Sequence, residues 1–266
     1  MRAKKHLGQH FLHDPRILGR IADALQASPG DTVLEIGPGH GALTGELLAR
    51  GVRLTAIEKD ADLLAGLVAR YPGLRLAHAD ALEADWRALS GAGPGPLLVI
   101  GNIPYNITSP LIDKALQPPR PVRIVFLVQK EVADRVAAPA GAEAYGALSV
   151  GVQAVARVER LMTVPAGAFQ PAPKVDSAVL RLTPLGQPLV EDREVRGFRR
   201  LVTGLFAARR KQVQRGIRQL TGWEGPRVER LLAGLGADPV RRPETLSPQE
   251  FVALFRALVD GGWPAG

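Results

Sequence analysis

The chain has 266 residues, 46% of them hydrophobic, and carries 34 Lys and Arg against 26 Asp and Glu for a net charge of +8. That length suits one large domain, or one with a small appendage, and the basic balance points to an acidic partner such as nucleic acid. The absence of cysteine excludes disulfides, cysteine-ligated zinc, iron–sulfur clusters and thiol catalysis. No run of about 20 apolar residues occurs, so no membrane-spanning helix is expected. The basic start leads into no apolar segment, so a secretory signal is not expected either, and a cytoplasmic protein is.

Asp14-Pro15 reads as an N-cap with proline at the first helical position, and Ile17, Leu18, Ile21 and Leu25 follow at helical spacing. Ser28-Pro29-Gly30 stops that helix. A strand over 33–36 runs into Gly37-Pro-Gly-His-Gly41, and Leu43, Leu47 and Leu48 mark the next helix. The alternation repeats: strand 52–57, a helix with Leu63 and Leu67, a strand near 74–77, and a buried-type strand at 97–100. Ser109-Pro110 is expected to cap a helix carrying Leu111, Ile112 and Leu116. A strand at 122–128, a helix from about Lys130, another across 145–154 and strands near 157–164 and 178–182 complete the series. Strands alternating with helices predict an α/β fold with a mostly parallel, doubly wound sheet. Pro184–Pro188 reads as a linker, after which only helical periodicity remains, with Ser247-Pro-Gln-Glu250 as a capping box. The predicted domains are therefore 1–185 and a helical 186–266.

The charge is concentrated. Between Arg193 and Arg218 stand nine basic residues and one acid, Glu194, so this window alone carries a net +8. A solvated helix face is one reading; a phosphate-contacting surface is the other.

In an open parallel sheet, ligands bind at the carboxyl ends of the strands, and the chemistry-bearing residues fall there. Glu35, Gly37, Gly39 and Gly41 form Glu-x-Gly-x-Gly-x-Gly, which lets the backbone approach a ligand closely. The spacing differs from the dinucleotide fingerprint. Glu58, 21 residues after Gly37, ends the next strand, where an acid can bind ribose hydroxyls. Asp80 ends the third, where a carboxylate can bind an adenine amino group. Together they suggest a nucleoside-containing cofactor. Asn102-Ile103-Pro104-Tyr105 joins an amide, a rigid proline and an aromatic directly after a buried strand.

These residues carry a resemblance. Glu35–Gly41 looks like motif I of S-adenosylmethionine-dependent methyltransferases, and Asn102–Tyr105 resembles the Asn-(Ile/Leu)-Pro-Tyr motif of ribosomal RNA adenine N6,N6-dimethyltransferases. Gly8-Gln-His-Phe-Leu12 resembles that family's N-terminal box, with His10 in place of the usual Asn. Gln129–Arg135, Tyr145–Val150 and Phe169–Ser177 are similar to further family segments.

The resemblance implies a Rossmann-like seven-stranded methyltransferase sheet with a small all-helical C-terminal domain. It also implies S-adenosylmethionine as cofactor, no metal, and a monomer that dimethylates two adjacent adenosines near the 3′ end of small-subunit (16S) rRNA within the assembling 30S subunit. Catalytic roles would fall on Asn102, Ile103, Pro104, Tyr105 and Phe169. Cofactor contacts would fall on Gln9, Leu12, Gly37, Gly39, Gly41, Glu58, Asp80 and Asn102. RNA contacts would fall on Arg209, Arg210, Lys211 and Arg215, with Arg2, Lys4 and Lys5 adding charge. Rival readings are a large-subunit rRNA adenine methyltransferase, a DNA adenine methyltransferase, and a non-catalytic RNA-binding assembly or transcription factor on the same fold. A dinucleotide-dependent oxidoreductase is a more distant one.

Overall fold

The computed structural model describes residues 8–264. The chain divides into two compact units, Met1–Ala133 with Val158–Pro184, and Asp134–Arg157 with Leu185–Gly266. Arg2, Lys4 and Lys5 lie outside the described residues.

The first unit starts with β1 (Phe11–Leu12) and α1 (Pro15–Ala24), then alternates: β2 (Thr32–Ile36), α2 (Ala42–Leu48), β3 (Arg53–Glu58), α3 (Ala61–Arg70), β4 (Arg75–His78), α4 (Trp86–Ser90), β5 (Leu98–Asn102), α5 (Thr108–Ala115) and β6 (Arg123–Gln129). After α6 (Lys130–Ala137) and α7 (Ala147–Gln153) come β7 (Ala156–Val164), β8 (Phe169–Gln170) and β9 (Ser177–Pro184). Seven strands form one sheet in the order β4-β3-β2-β5-β6-β9-β7. The first five are parallel, and β9 returns antiparallel to β6. All seven predicted strands are present.

The order explains where a ligand goes. From β2 the chain winds outward through β3 and β4, then returns to β5 on the other side of β2. The switch point between β2 and β5 opens a crevice at their carboxyl ends. Both strands are buried almost throughout and mainly apolar, as strands covered on two faces require, with Glu35 the buried charge within β2. Gly101 pairs with Ile36 there; a Cβ on it would lie 2.5 Å from the Ile36 carbonyl, so only glycine fits.

Asp14 caps α1 as expected, accepting from the Arg16 and Ile17 amides at 2.9 and 3.2 Å. The start of α5 differs from expectation. Ser109 is not its cap; the helix begins at Thr108 after a 3-10 turn at Tyr105–Ile107. Thr108 instead donates its hydroxyl back to the Pro104 carbonyl at 3.3 Å. The preceding loop therefore sets where the helix starts. The sequence also left unread the two-stranded ladder of β1 and β8, with Leu12 opposite Phe169. Two residues per strand carry no alternation to detect.

In the second unit, α8 (Val195–Ala207), α9 (Val213–Thr221), α10 (Gly225–Gly234) and α11 (Pro248–Asp260) pack with α7. Their core holds Phe198 edge-on to Phe255 and Phe206 stacked on Phe251, at 6.0 and 5.8 Å between centroids. Buried Tyr145 donates its hydroxyl to the Leu246 carbonyl at 2.9 Å. The Ser247–Glu250 capping box opens α11. A boundary at 185/186 assigns 134–157 to the sheet; by contacts this segment groups with the C-terminal helices. No helix among the described residues is long and apolar enough to cross a membrane.

Candidate active site

A cavity of about 200 Å³ is lined by residues from the carboxyl ends of β2, β3 and β5, with the segment Gly8–Leu12 in its wall. Gln9, Leu12, Gly37, Gly39, Glu58, Asp80, Asn102, Ile103, Pro104 and Tyr105 all line it, whereas Gly41 and Phe169 do not.

The glycine loop follows β2 with Gly37, Gly39 and Gly41 at φ of +66°, +59° and +82°, conformations that other L-residues rarely adopt. Gly39 is also a matter of space, since a Cβ there would meet the Phe11 ring at 2.9 Å. Gly41 serves a different neighbour. Its carbonyl accepts from the Tyr71 hydroxyl at 2.8 Å, and a Cβ on it would lie 2.6 Å from the Tyr71 ring. Arg70 donates to the adjacent His40 carbonyl at 3.2 Å. The end of α3 thus holds the far side of the loop.

Two buried carboxylates stand at the crevice. Glu35, 1% exposed, accepts the Thr44 hydroxyl at 2.7 Å. Burial pushes its pKa up to about 7; Thr44 opposes that rise and neighbouring Glu58 adds to it. Glu58 receives the Asp60 and Gly39 amides at 2.8 and 3.2 Å, one on each oxygen. Burial still outweighs these bonds and raises its pKa. Asp60 caps α3 and accepts from the Gln9 side-chain amide at 2.7 Å. Asp80 is different: its bond to Lys59 at 2.7 Å, aided by the Leu82 amide, holds it below the usual carboxylate range. Lys59 is the one lysine or arginine among the lining residues. The wall around Glu35 and Glu58 is therefore short of positive charge.

At the end of β5, the Ile103 amide donates to the Leu127 carbonyl of β6 at 3.0 Å and fixes the Asn102–Tyr105 loop. The Asn102 side-chain N–H donates to the His10 carbonyl at 2.8 Å. Its Oδ1 remains as the acceptor of that amide. Tyr105 is half-buried, its hydroxyl 2.7 Å from that of fully buried Ser177. Phe169 is 2% exposed and packs into the core cluster with Leu12 and Leu18. The β1–β8 pairing turns that ring inward.

Sequence reasoning missed Asp60 and Tyr71 as supports of the site, and left His10, Phe11 and Ser177, which fall within the resembling segments, without a role. Each acts through a neighbour distant in the chain, which no local spacing reports. In the second unit, Arg210, Lys211 and Arg215 are exposed, and Arg209, also exposed, donates to the Glu143 carbonyl at 2.8 Å.

The switch-point crevice, the glycine loop and the Asn-Ile-Pro-Tyr turn define a Rossmann-like α/β methyltransferase. The sequence matches the family model of ribosomal RNA adenine dimethylase over residues 1–235. It is 45% identical to the ribosomal RNA small subunit methyltransferase A of Acidithiobacillus ferrooxidans, across 98% of this chain and 96% of that one. The chain belongs to the ribosomal RNA adenine dimethylase family. A dimethyladenosine transferase from Plasmodium falciparum has a similar structure, with a TM-score of 0.83, 26% identity and coverage of 95% of this chain and 98% of that one. The 23S rRNA methyltransferase ErmE is also similar, with a TM-score of 0.71, 29% identity and coverage of 94% and 99%.

The Glu35 environment makes a stability prediction. Its ordinary pKa of 4.5 rises to about 7 in the fold, so the folded chain binds the proton more tightly than the unfolded one. The stability is fully present below pH 4.5 and is lost as pH rises through about 7, a change of about 3 kcal/mol. Glu35→Gln has no proton to lose. In urea unfolding it should match the native chain in acid and exceed it by about 3 kcal/mol above neutrality. Parallel pH profiles would contradict this account.

Proposed function

We propose that the chain transfers methyl groups from S-adenosylmethionine to the N6 atoms of two adjacent adenosines near the 3′ end of small-subunit rRNA, giving N6,N6-dimethyladenosine. The observation that carries the chemistry is Asn102, an amide whose N–H is engaged and whose oxygen is left to accept, at the wall of the cavity.

Adenine N6 is a poor nucleophile because its lone pair is delocalised into the ring. Asn102 Oδ1 accepts one N6 hydrogen and the Ile103 carbonyl the other. Both bonds strengthen as the nitrogen becomes positive, and both aim its lone pair at the methyl group. Pro104 stiffens the loop that presents them. Tyr105 offers a face on which the base stacks. When bound, S-adenosylmethionine supplies a methyl group activated by a sulfonium. Glu58 accepts from ribose hydroxyls through the lone pairs its two amide donors leave free, and Asp80 accepts from the adenine amino group. Gln9 and Leu12 complete the wall, and Gly37 and Gly39 let the backbone come close.

The site's charge supports this cofactor. Among the described residues no cation pairs with Glu35 or Glu58, and a cationic ligand would relieve them. A dinucleotide pyrophosphate would meet the same carboxylates with like charge, which argues against the oxidoreductase reading. The small-subunit target is supported by the 45% identity to a small-subunit enzyme, against 29% to the 23S enzyme. The intact Asn102–Tyr105 loop favours catalysis over a solely binding role. The exposed cations at Arg209, Arg210, Lys211 and Arg215 are the proposed phosphate contacts.

Label from S-adenosylmethionine should pass to isolated small-subunit rRNA particles and not to large-subunit ones; the reverse preference would overturn the target assignment. Asn102→Ala should lower kcat by about 10²- to 10³-fold with cofactor affinity nearly unchanged. Glu58→Ala should instead weaken cofactor binding by about 10- to 100-fold. Full activity in Asn102→Ala would remove the mechanism.

The joint replacement of Arg209, Arg210 and Lys211 by Ala should weaken RNA binding. It should also make the slope of log affinity against log salt shallower by about 2–3. An unchanged slope would exclude these residues from the phosphate surface.

A further inference from the structure

His10 touches both halves of the proposed base site. Its ring lies on Tyr105, with centroids 5.6 Å apart and planes 28° from parallel. Its carbonyl accepts the Asn102 side-chain N–H at 2.8 Å. Its Nδ1 lies 2.8 Å from the Pro171 carbonyl, across 161 residues of chain. A carbonyl only accepts, so Nδ1 carries the hydrogen of this bond and the ring is held in one orientation. The adjoining residues are held as well: Gln9 by Asp60, and Phe11 and Leu12 by the ladder with β8. Tyr105 is anchored at its other end by Ser177.

We propose that His10 is a positioning residue for methyl transfer, pinned to Pro171 so that its carbonyl sets the Asn102 amide and its ring backs Tyr105. The proposal rests on the functional reading above. An asparagine amide turned by half a revolution presents N–H where oxygen stood. Against an exocyclic amine that change sets donor against donor. The His10 carbonyl favours the productive orientation because only the N–H edge of Asn102 can bond to it. The ring stack fixes the plane of Tyr105, and with it the plane of a stacked base.

The test compares His10→Ala and His10→Asn in the full chain, with rates expressed per cofactor-binding site so that unfolded protein does not count. His10→Ala should lower kcat by roughly tenfold to hundredfold, while the dissociation constant for S-adenosylhomocysteine stays within about twofold. His10→Asn keeps an N–H that can reach Pro171 and should recover the larger part of the rate. A second readout needs no transfer. In protein labelled with 15N at asparagine side chains, the Asn102 amide should be protected from hydrogen exchange in the native chain and exposed in His10→Ala. Native kcat in His10→Ala, a fall in cofactor affinity matching the fall in rate, or no rescue by asparagine would overturn the proposal. So would unchanged amide protection, whatever the activity. A native chain that methylates no small-subunit rRNA would defeat the functional reading alone; the amide measurement would then decide the role of His10.

Discussion

Two carboxylates buried at the carboxyl ends of neighbouring parallel strands, with no ion pair to either among the described residues, set the terms for the rest of the site. Glu35 on β2 and Glu58 on β3 stand beside the switch-point crevice, where the fold leaves room and the backbone supplies donors. Burial makes their charge costly and raises the pKa of both. The protein offsets this only in part, through Thr44 for one and two amides for the other. Lys59, the lysine among the lining residues, is held by Asp80.

Around that constraint the remaining parts are supports. The loop after β2 keeps its path because Gly39 yields space to Phe11 and Gly41 yields space to Tyr71. The segment Gly8–Leu12 lines the cavity and also meets the Asn102–Tyr105 turn through His10. The cavity wall and the turn after β5 thus share one stretch of chain. Displacing that stretch would disturb both.

Much of this was legible in the sequence, for reasons that can be named. The central strands of the sheet are mainly apolar and end at glycine, proline or polar residues, and local pattern is enough to find them. Glu58, Asp80 and Asn102 stand at strand ends, so finding the strands finds the residues. What escaped depends on long-range pairing. The β1–β8 ladder is too short for periodicity, yet it turns Phe169 into the core instead of the cavity. Gly41 belongs to the glycine motif, but its conformation answers to Tyr71. The grouping of 134–157 with the C-terminal helices follows from contacts no linear boundary expresses. The Ser109 cap failed because the turn before it, not the side chain, sets the start of α5.

A cationic cofactor beside Glu35 would lower the carboxyl's raised pKa. Calorimetric titration of S-adenosylmethionine near neutral pH, repeated in buffers of different ionisation enthalpy, measures that effect. Binding of the cationic cofactor should release a fraction of a proton, and the release should vanish in Glu35→Gln. Binding with no proton exchange, or with proton uptake, would contradict the central claim.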